Sequence, residues 1–290
     1  MLRFLFFLNG LAMAEFPDIS SVEPDLTVSE MAVGQPEPGR RVKQTLPDYL
    51  NTGAYHTLYL PPDWKPGGKY PVLIEYAGNG PYKSKYGDVS TGRVEHSRLG
   101  YGISAGKGFI WVCMPYLDND GKANVTRWWG NAPEWNPGAT VDYCKKAVPY
   151  ICKEFGGDPA RVILCGFSRG AIACNFIGLD NDEIAKLWRA FIAYSHYDGV
   201  RPWEYRNSDR RSALDRLKRL KGRPQFICHE SGTDPRIDVS ATRRFLEASG
   251  TKAQFNFIET GFRNHNDAWI LRPSPARKAL REWLKKVIDE

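Results

Sequence analysis

From about residue 54 onward, short apolar runs alternate with stretches whose apolar positions recur at helical spacing. Residues 55–60 form an aromatic- and leucine-rich run stopped by Pro61-Pro62, and residues 71–76 form a second apolar run that leads into Ala77-Gly78-Asn79-Gly80. Residues 109–114 form a third. Residues 140–155 have helical spacing and stop at Gly156-Gly157-Asp158-Pro159. Further runs at 162–165, 190–193, 225–229 and 253–258 read as strands, and 171–177, 238–248 and 275–288 as helices. A continuous apolar run is what a strand covered on both faces requires. The alternation predicts an α/β fold, with a mostly parallel central sheet and helices on both faces.

The flanks differ. Residues 15–50 are rich in Pro, Glu, Asp and Ser without periodicity, which predicts an arm or linker ahead of one domain over 51–290. Before it, Met1-Leu2-Arg3, the apolar run from Phe4 to Leu8 and Ala12-Met13-Ala14 fit a signal peptide over 1–14 and a secreted or periplasmic protein. No later segment is long and apolar enough to predict a membrane span. Three long connections, 81–108, 116–138 and 196–222, leave strand ends on the side where open α/β sheets bind ligands, and are the expected walls of a cleft.

Composition narrows the class. In 290 residues, 13% aromatic and 25% charged content fit a globular enzyme. The net charge of +7 gathers partly between Arg201 and Arg223, but no nucleic-acid motif accompanies it, so a solvated face is expected and a nucleic-acid partner is not. Six cysteines are too few for a disulfide scaffold; most fall in apolar runs as core thiols, and no C-x-x-C predicts structural zinc.

The chemistry gathers at Gly166-Phe167-Ser168-Arg169-Gly170, a G-x-S-x-G sequence between a predicted strand and a predicted helix. The two glycines remove side chains that would collide in the sharp turn, and the serine Oγ is lifted to the sheet edge. A serine hydroxyl needs a base to take its proton, and the base needs a third group to hold its tautomer. In elbow proteins the acid and then the histidine follow the serine along the chain. Asp234, in Gly232-Thr233-Asp234-Pro235 after the 225–229 strand, and His265, in the loop after the next strand, fit that order. Asp198, after the 190–193 strand, is the competing acid. His196 beside it is a candidate substrate contact, as are Trp128, Trp129, Trp135 and Trp203 in the long loops, with Tyr82 and Tyr86. Metal ligation by His196, Asp198 and His229 lacks a recognised spacing, and no metal or other cofactor is expected.

These residues resemble the α/β-hydrolase superfamily, and within it secreted esterases of the feruloyl, acetylxylan and polyhydroxybutyrate-depolymerase kind. The resemblance spans roughly residue 55 to the C-terminus. It implies Ser168 as nucleophile, His265 as base, Asp234 as orienting acid, and backbone N–H groups of Arg169 and Asn79 as the oxyanion hole. The Gly78-Asn79-Gly80 turn departs from the HGGG form of some esterases. The implied reaction is cofactor-free cleavage of carboxylic esters, with an ester-bearing polysaccharide or a polyester as substrate. Two readings stand beside it: a prolyl-oligopeptidase-like peptidase, and a non-catalytic hydrolase fold that binds carbohydrate.

Overall fold

The computed structural model describes residues 15–290, and the proposed signal peptide over 1–14 lies outside them. The strands that build the main sheet are β1 (Met31–Ala32), β2 (Arg41–Gln44), β3 (His56–Tyr59), β4 (Tyr70–Tyr76), β5 (Ile110–Met114), β6 (Gly157–Phe167), β7 (Ala190–Tyr194), β8 (Gln225–His229) and β9 (Phe255–Glu259). Their spatial order is β1-β2-β3-β5-β4-β6-β7-β8-β9. From β5 to β9 every neighbouring pair is parallel, while β3 runs antiparallel to both β2 and β5. Parallel neighbours bring the carboxyl ends of β4, β6, β7, β8 and β9 to one edge, so the loops that follow them can meet.

Helices cover both faces. On one face Val72, Ile74 and Tyr76 of β4 pack with α2 (Gly138–Phe155), α3 (Arg169–Phe176) and α4 (Arg210–Leu217). On the other, Leu73 joins Ile163, Cys165 and Ile192 against α1 (Leu99–Ser104) and α6 (Pro275–Asp289), which contributes Leu280, Trp283, Leu284 and Val287. A further helix, α5 (Val239–Ser249), lies between β8 and β9. The alternation of 72, 73 and 74 between faces is the period-2 geometry of a strand. Glu75 is the polar exception on β4: its buried carboxylate accepts from Leu99 N, Gly100 N and Trp111 Nε1 at 3.2, 2.8 and 2.8 Å, anchoring the start of α1. Burial lifts its pKa to about 7.

The expectation of an arm over 15–50 is corrected by the fold. β1 is an edge strand of the sheet and β2 pairs with both β1 and β3, Ile19 is buried, and the Arg41 guanidinium lies 4.2 Å over the Trp111 ring. Strands of two and four residues carry their stability in backbone pairing and give no apolar run to read. The basic stretch is also less solvated than its composition implies. Arg216 is buried against Asp198, and Arg223 donates to carbonyls including Leu220 O. All six cysteines are free thiols, five of them buried.

Candidate active site

The site begins at the turn from β6 into α3. Ser168 sits at φ 54°, ψ −111°, a backbone conformation that L-residues avoid and that functional turns hold under constraint. The flanking glycines are required by contact. A Cβ on Gly166 would stand 2.3 Å from the Gly170 carbonyl, and one on Gly170 would stand 1.8 Å from Tyr76 O. Ser168 N donates to Tyr194 O at 2.9 Å, tying the turn to the end of β7. The start of α3 leaves the first backbone N–H groups of the helix, that of Arg169 among them, without an intrahelical acceptor.

His265 arrives from the loop after β9. Its Nε2 is 3.0 Å from Ser168 Oγ, and its Nδ1 is 3.0 Å from Glu230 Oε1 and 2.7 Å from Ser195 Oγ. A carboxylate facing Nδ1 keeps the proton there and leaves Nε2 to accept from the Ser168 hydroxyl. The loop is tethered on both sides of the imidazole. Asn264 Nδ2 and Asn266 Nδ2 both donate to Asp88 Oδ1, at 2.9 and 3.2 Å, and Tyr194 OH donates to Asn264 O at 3.0 Å. The 15–21 segment adds two backbone contacts: Ile19 N donates to Asn264 Oδ1 at 2.8 Å, and Arg263 N donates to Pro17 O at 3.1 Å. The segment expected to be an arm therefore helps to hold the imidazole.

Glu230 follows directly on β8 and is 7% exposed. Burial pushes its carboxyl up, but the charge and hydrogen bond of His265, with His229 and His196 beyond, win and hold it at about 2. His196 is half-buried; its ring centre lies 5.3 Å from that of His265. Burial and the neighbouring imidazole depress its pKa well below the usual histidine value, so it stands by the site as a neutral group.

Two expected acids lie elsewhere. Asp234 stands four residues beyond Glu230 in an exposed turn, its carboxylate chelated by Arg236 at 2.9 Å and 3.0 Å from Nε. That hydrogen bonding with Arg236 lowers its pKa to about 2. It lines the mouth of the cleft but makes no hydrogen bond with His265, and the carboxylate at the imidazole is Glu230. Asp198 is buried in a two-pronged pair with Arg216, Nε to Oδ2 at 2.8 Å and a terminal nitrogen to Oδ1 at 3.0 Å. It faces a guanidinium rather than the imidazoles of His196 and His229. The signal that finds Glu230 in the sequence is its place as the first carboxylate after the last strand residue, His229.

The aromatic expectations change as well. Trp129 is fully buried and stacks on Phe176 at 4.4 Å between ring centres, so it is core and not a substrate platform. Trp203 is half-buried, with Arg201 3.6 Å over its ring and His196 5.3 Å away. Of the expected aromatics, Tyr82 and Tyr86 reach the cleft. They line a space of about 260 Å³ with Lys85, Thr233 and His265, and Tyr82 meets the His265 ring edge-on at 5.3 Å. The Asn79 side chain accepts from Trp128 N at 2.8 Å, while among the described residues no acceptor takes the Asn79 N–H.

No protein-family model and no curated protein matches the sequence. Solved structures do match. An S-formylglutathione hydrolase from Agrobacterium tumefaciens is 12% identical, with a TM-score of 0.55 over 86% of this chain and 94% of that one. A ferulic acid esterase is 18% identical, with a TM-score of 0.51 over 88% and 99%. A Bacteroides ovatus protein provisionally assigned as a dipeptidyl aminopeptidase IV is 18% identical, with a TM-score of 0.55 over 85% of this chain. The chain spans 35% of that peptidase, and 62% of a thermostable esterase that it also matches. The fold is the α/β-hydrolase fold.

Proposed function

We propose that the chain is a serine hydrolase that cleaves carboxylic esters through an acyl-Ser168 intermediate. The observation that carries the reading is the continuous chain of contacts from Ser168 Oγ through His265 to Glu230, at 3.0 Å and 3.0 Å. In the acylation step Ser168 Oγ bonds to the ester carbonyl carbon while His265 Nε2 takes the hydroxyl proton. The carbonyl oxygen becomes an oxyanion, held by the N–H groups of Arg169 and Asn79. The intermediate collapses, the C–O bond to the alcohol breaks, and His265 returns the proton to the leaving alkoxide. Water repeats the sequence in reverse roles and frees the acid. Glu230 keeps the imidazole oriented and balances its charge at each protonated stage.

The substrate we propose is an ester carried on a polysaccharide or a polyester. Tyr82 and Tyr86 beside His265 support it, as flat amphipathic surfaces suited to sugar rings or aromatic acyl groups. The leader-like residues 1–14 support a secreted or periplasmic site of action. A peptidase is the second reading, favoured by the likeness to the dipeptidyl aminopeptidase, and it would use the same three side chains. Labelling with a fluorophosphonate and turnover of p-nitrophenyl acetate test the proposal together. Wild-type protein is expected to label at Ser168 and to hydrolyse the ester, and Ser168→Ala to lose both with its thermal unfolding nearly unchanged. Turnover retained by Ser168→Ala overturns the nucleophile assignment, and preference for amide over ester substrates moves the chain to the peptidases.

A further inference from the structure

Arg169 directly follows the proposed nucleophile, yet its side chain is 1% exposed and has no carboxylate among its hydrogen-bond partners in the described residues. Burying a cation without a counter-charge is expensive, and an apolar side chain of similar volume would serve packing better. The guanidinium spends its donors on four backbone carbonyls from three segments. They are Ala77 O at 3.5 Å, Gly78 O at 2.9 Å, Gly92 O at 3.3 Å and Trp128 O at 2.5 Å. Its plane lies 3.7 Å over the Tyr116 ring, whose hydroxyl also donates to Ala77 O. Two of the four carbonyls belong to the turn that leaves β4, and a third belongs to Trp128, whose N–H is held by the Asn79 side chain.

Peptide geometry converts this grip into an orientation. The Gly78–Asn79 bond is not among the cis peptides, so its C=O and N–H point in opposite directions. A guanidinium holding Gly78 O from the buried side therefore turns the Asn79 N–H away from itself. That N–H has no acceptor among the described residues. Gly170, two residues after the nucleophile, packs on the same strand exit at Tyr76 O.

We infer that Arg169 is a positioning residue through its side chain, fixing the 77–79 turn so that Asn79 N–H is aimed as the second oxyanion donor. One residue then supplies the first donor from its backbone and orients the second through its guanidinium. The inference rests on the acyl-transfer reading above. It also gives the arginine a reason to be where a hydrophobic residue would pack at lower cost, since the turn has no strand partner beyond Tyr76 to hold its carbonyls.

Two full-length variants test it, Arg169→Met and Arg169→Lys, each read by backbone hydrogen exchange and by steady-state kinetics. In Arg169→Met, amides in 77–80 and 126–129 are expected to exchange faster than in wild type. The kcat for p-nitrophenyl acetate should fall on the order of 10²-fold with KM within about threefold, because a lost oxyanion donor is felt in the transition state. A trifluoromethyl ketone that mimics the tetrahedral adduct should bind more weakly by a similar factor. Arg169→Lys keeps the charge but loses the planar fork, and should fall between the two. Unchanged exchange in 77–80 overturns the clamp. Faster exchange with kcat per folded molecule unchanged overturns the donor role. If Arg169→Met does not fold, Arg169→Lys decides alone, with wild-type kcat and exchange counting against the proposal. Wild-type protein that fails to label at Ser168 removes the acyl-transfer reading and the donor role with it, while exchange still decides the clamp.

Discussion

Glu230 Oε1 stands 3.0 Å from His265 Nδ1, a buried carboxylate against the imidazole that contacts Ser168. The pair fixes which ring nitrogen carries the proton, and that choice decides whether Ser168 can be deprotonated. Glu230→Gln keeps the shape and removes the charge, and its amide can present either end to Nδ1. We expect kcat to fall about 10³–10⁴-fold, as when the acid of such a triad is neutralised. Asp234→Asn, which disturbs only an exposed pair with Arg236, should stay within about threefold of wild type. Steady-state kinetics on one ester decide it, and the opposite ranking returns the acid to Asp234. Because Glu230 is held at about 2, it is ionised throughout ordinary working pH. An acid limb in the rate above pH 4 therefore belongs to another group.

The sequence made the turn at Ser168 readable because its signal is local. Gly166 and Gly170 are demanded by contacts within four residues and one neighbouring strand, so the turn is written where it occurs. The placement of His265 against Ser168 was readable through chain order. The carboxylate that faces the imidazole was not, since order narrows it only to a loop, and Glu230 and Asp234 lie in the same one. What separates them is reach: the residue next to the strand end faces the edge of the sheet, whereas the Gly-Thr-Asp-Pro turn carries Asp234 outward to Arg236. The core strands were visible as apolar runs for the same reason that β1 and β2 were not. Central strands bury side chains on two faces, while these two short strands depend on backbone pairing with whatever residues they carry. Trp129 shows the limit of residue type as evidence, because an aromatic in a long loop reads alike whether it packs inward or faces a cleft.

Ser195 makes a second contact with His265 Nδ1, at 2.7 Å, from a buried residue with φ 89°. A non-glycine residue in that region costs about 1–3 kcal/mol, and its placement against the imidazole supplies a reason for the strain. The hydroxyl shares the Nδ1 proton with Glu230 and limits rotation of the ring. A hydrogen bond of this kind contributes roughly 0.5–1.5 kcal/mol, so Ser195→Ala should lower kcat/KM about threefold to tenfold. An unchanged kcat/KM would show that Glu230 alone holds the ring.

Trp129 and Tyr82 should respond in opposite ways. Trp129→Ala removes a fully buried ring stacked on Phe176 and is expected to cost about 3–5 kcal/mol of folding free energy. Its KM should hold in whatever fraction stays folded. Tyr82→Ala removes an exposed ring beside His265, so stability should change by less than about 0.5 kcal/mol while KM for bulky esters rises. Urea denaturation and steady-state kinetics on both variants check this, and a raised KM with normal stability in Trp129→Ala would restore that ring to the cleft.

His56 carries a pH dependence that can be signed from its surroundings. The ring is fully buried on β3, bonded through Nδ1 to Tyr143 OH at 2.7 Å, and burial lowers its pKa from 6.5 to about 3. Between those values the unfolded chain takes up a proton that the folded chain refuses. Stability linked to His56 is therefore fully present above pH 6.5 and is lost as the pH falls towards 3, at about 1.4 kcal/mol per pH unit. Glu75, raised to about 7, works in the other direction between its ordinary value and 7, so the wild-type profile alone mixes the two. Comparison with His56→Gln isolates the histidine, because Glu75 is common to both proteins. The difference in unfolding free energy, wild type minus variant, should fall by about 2 kcal/mol between pH 7.5 and pH 5. A difference that stays constant over that range would mean that the His56 ring is protonated inside the folded protein, with Tyr143 OH accepting from Nδ1 instead of donating to it.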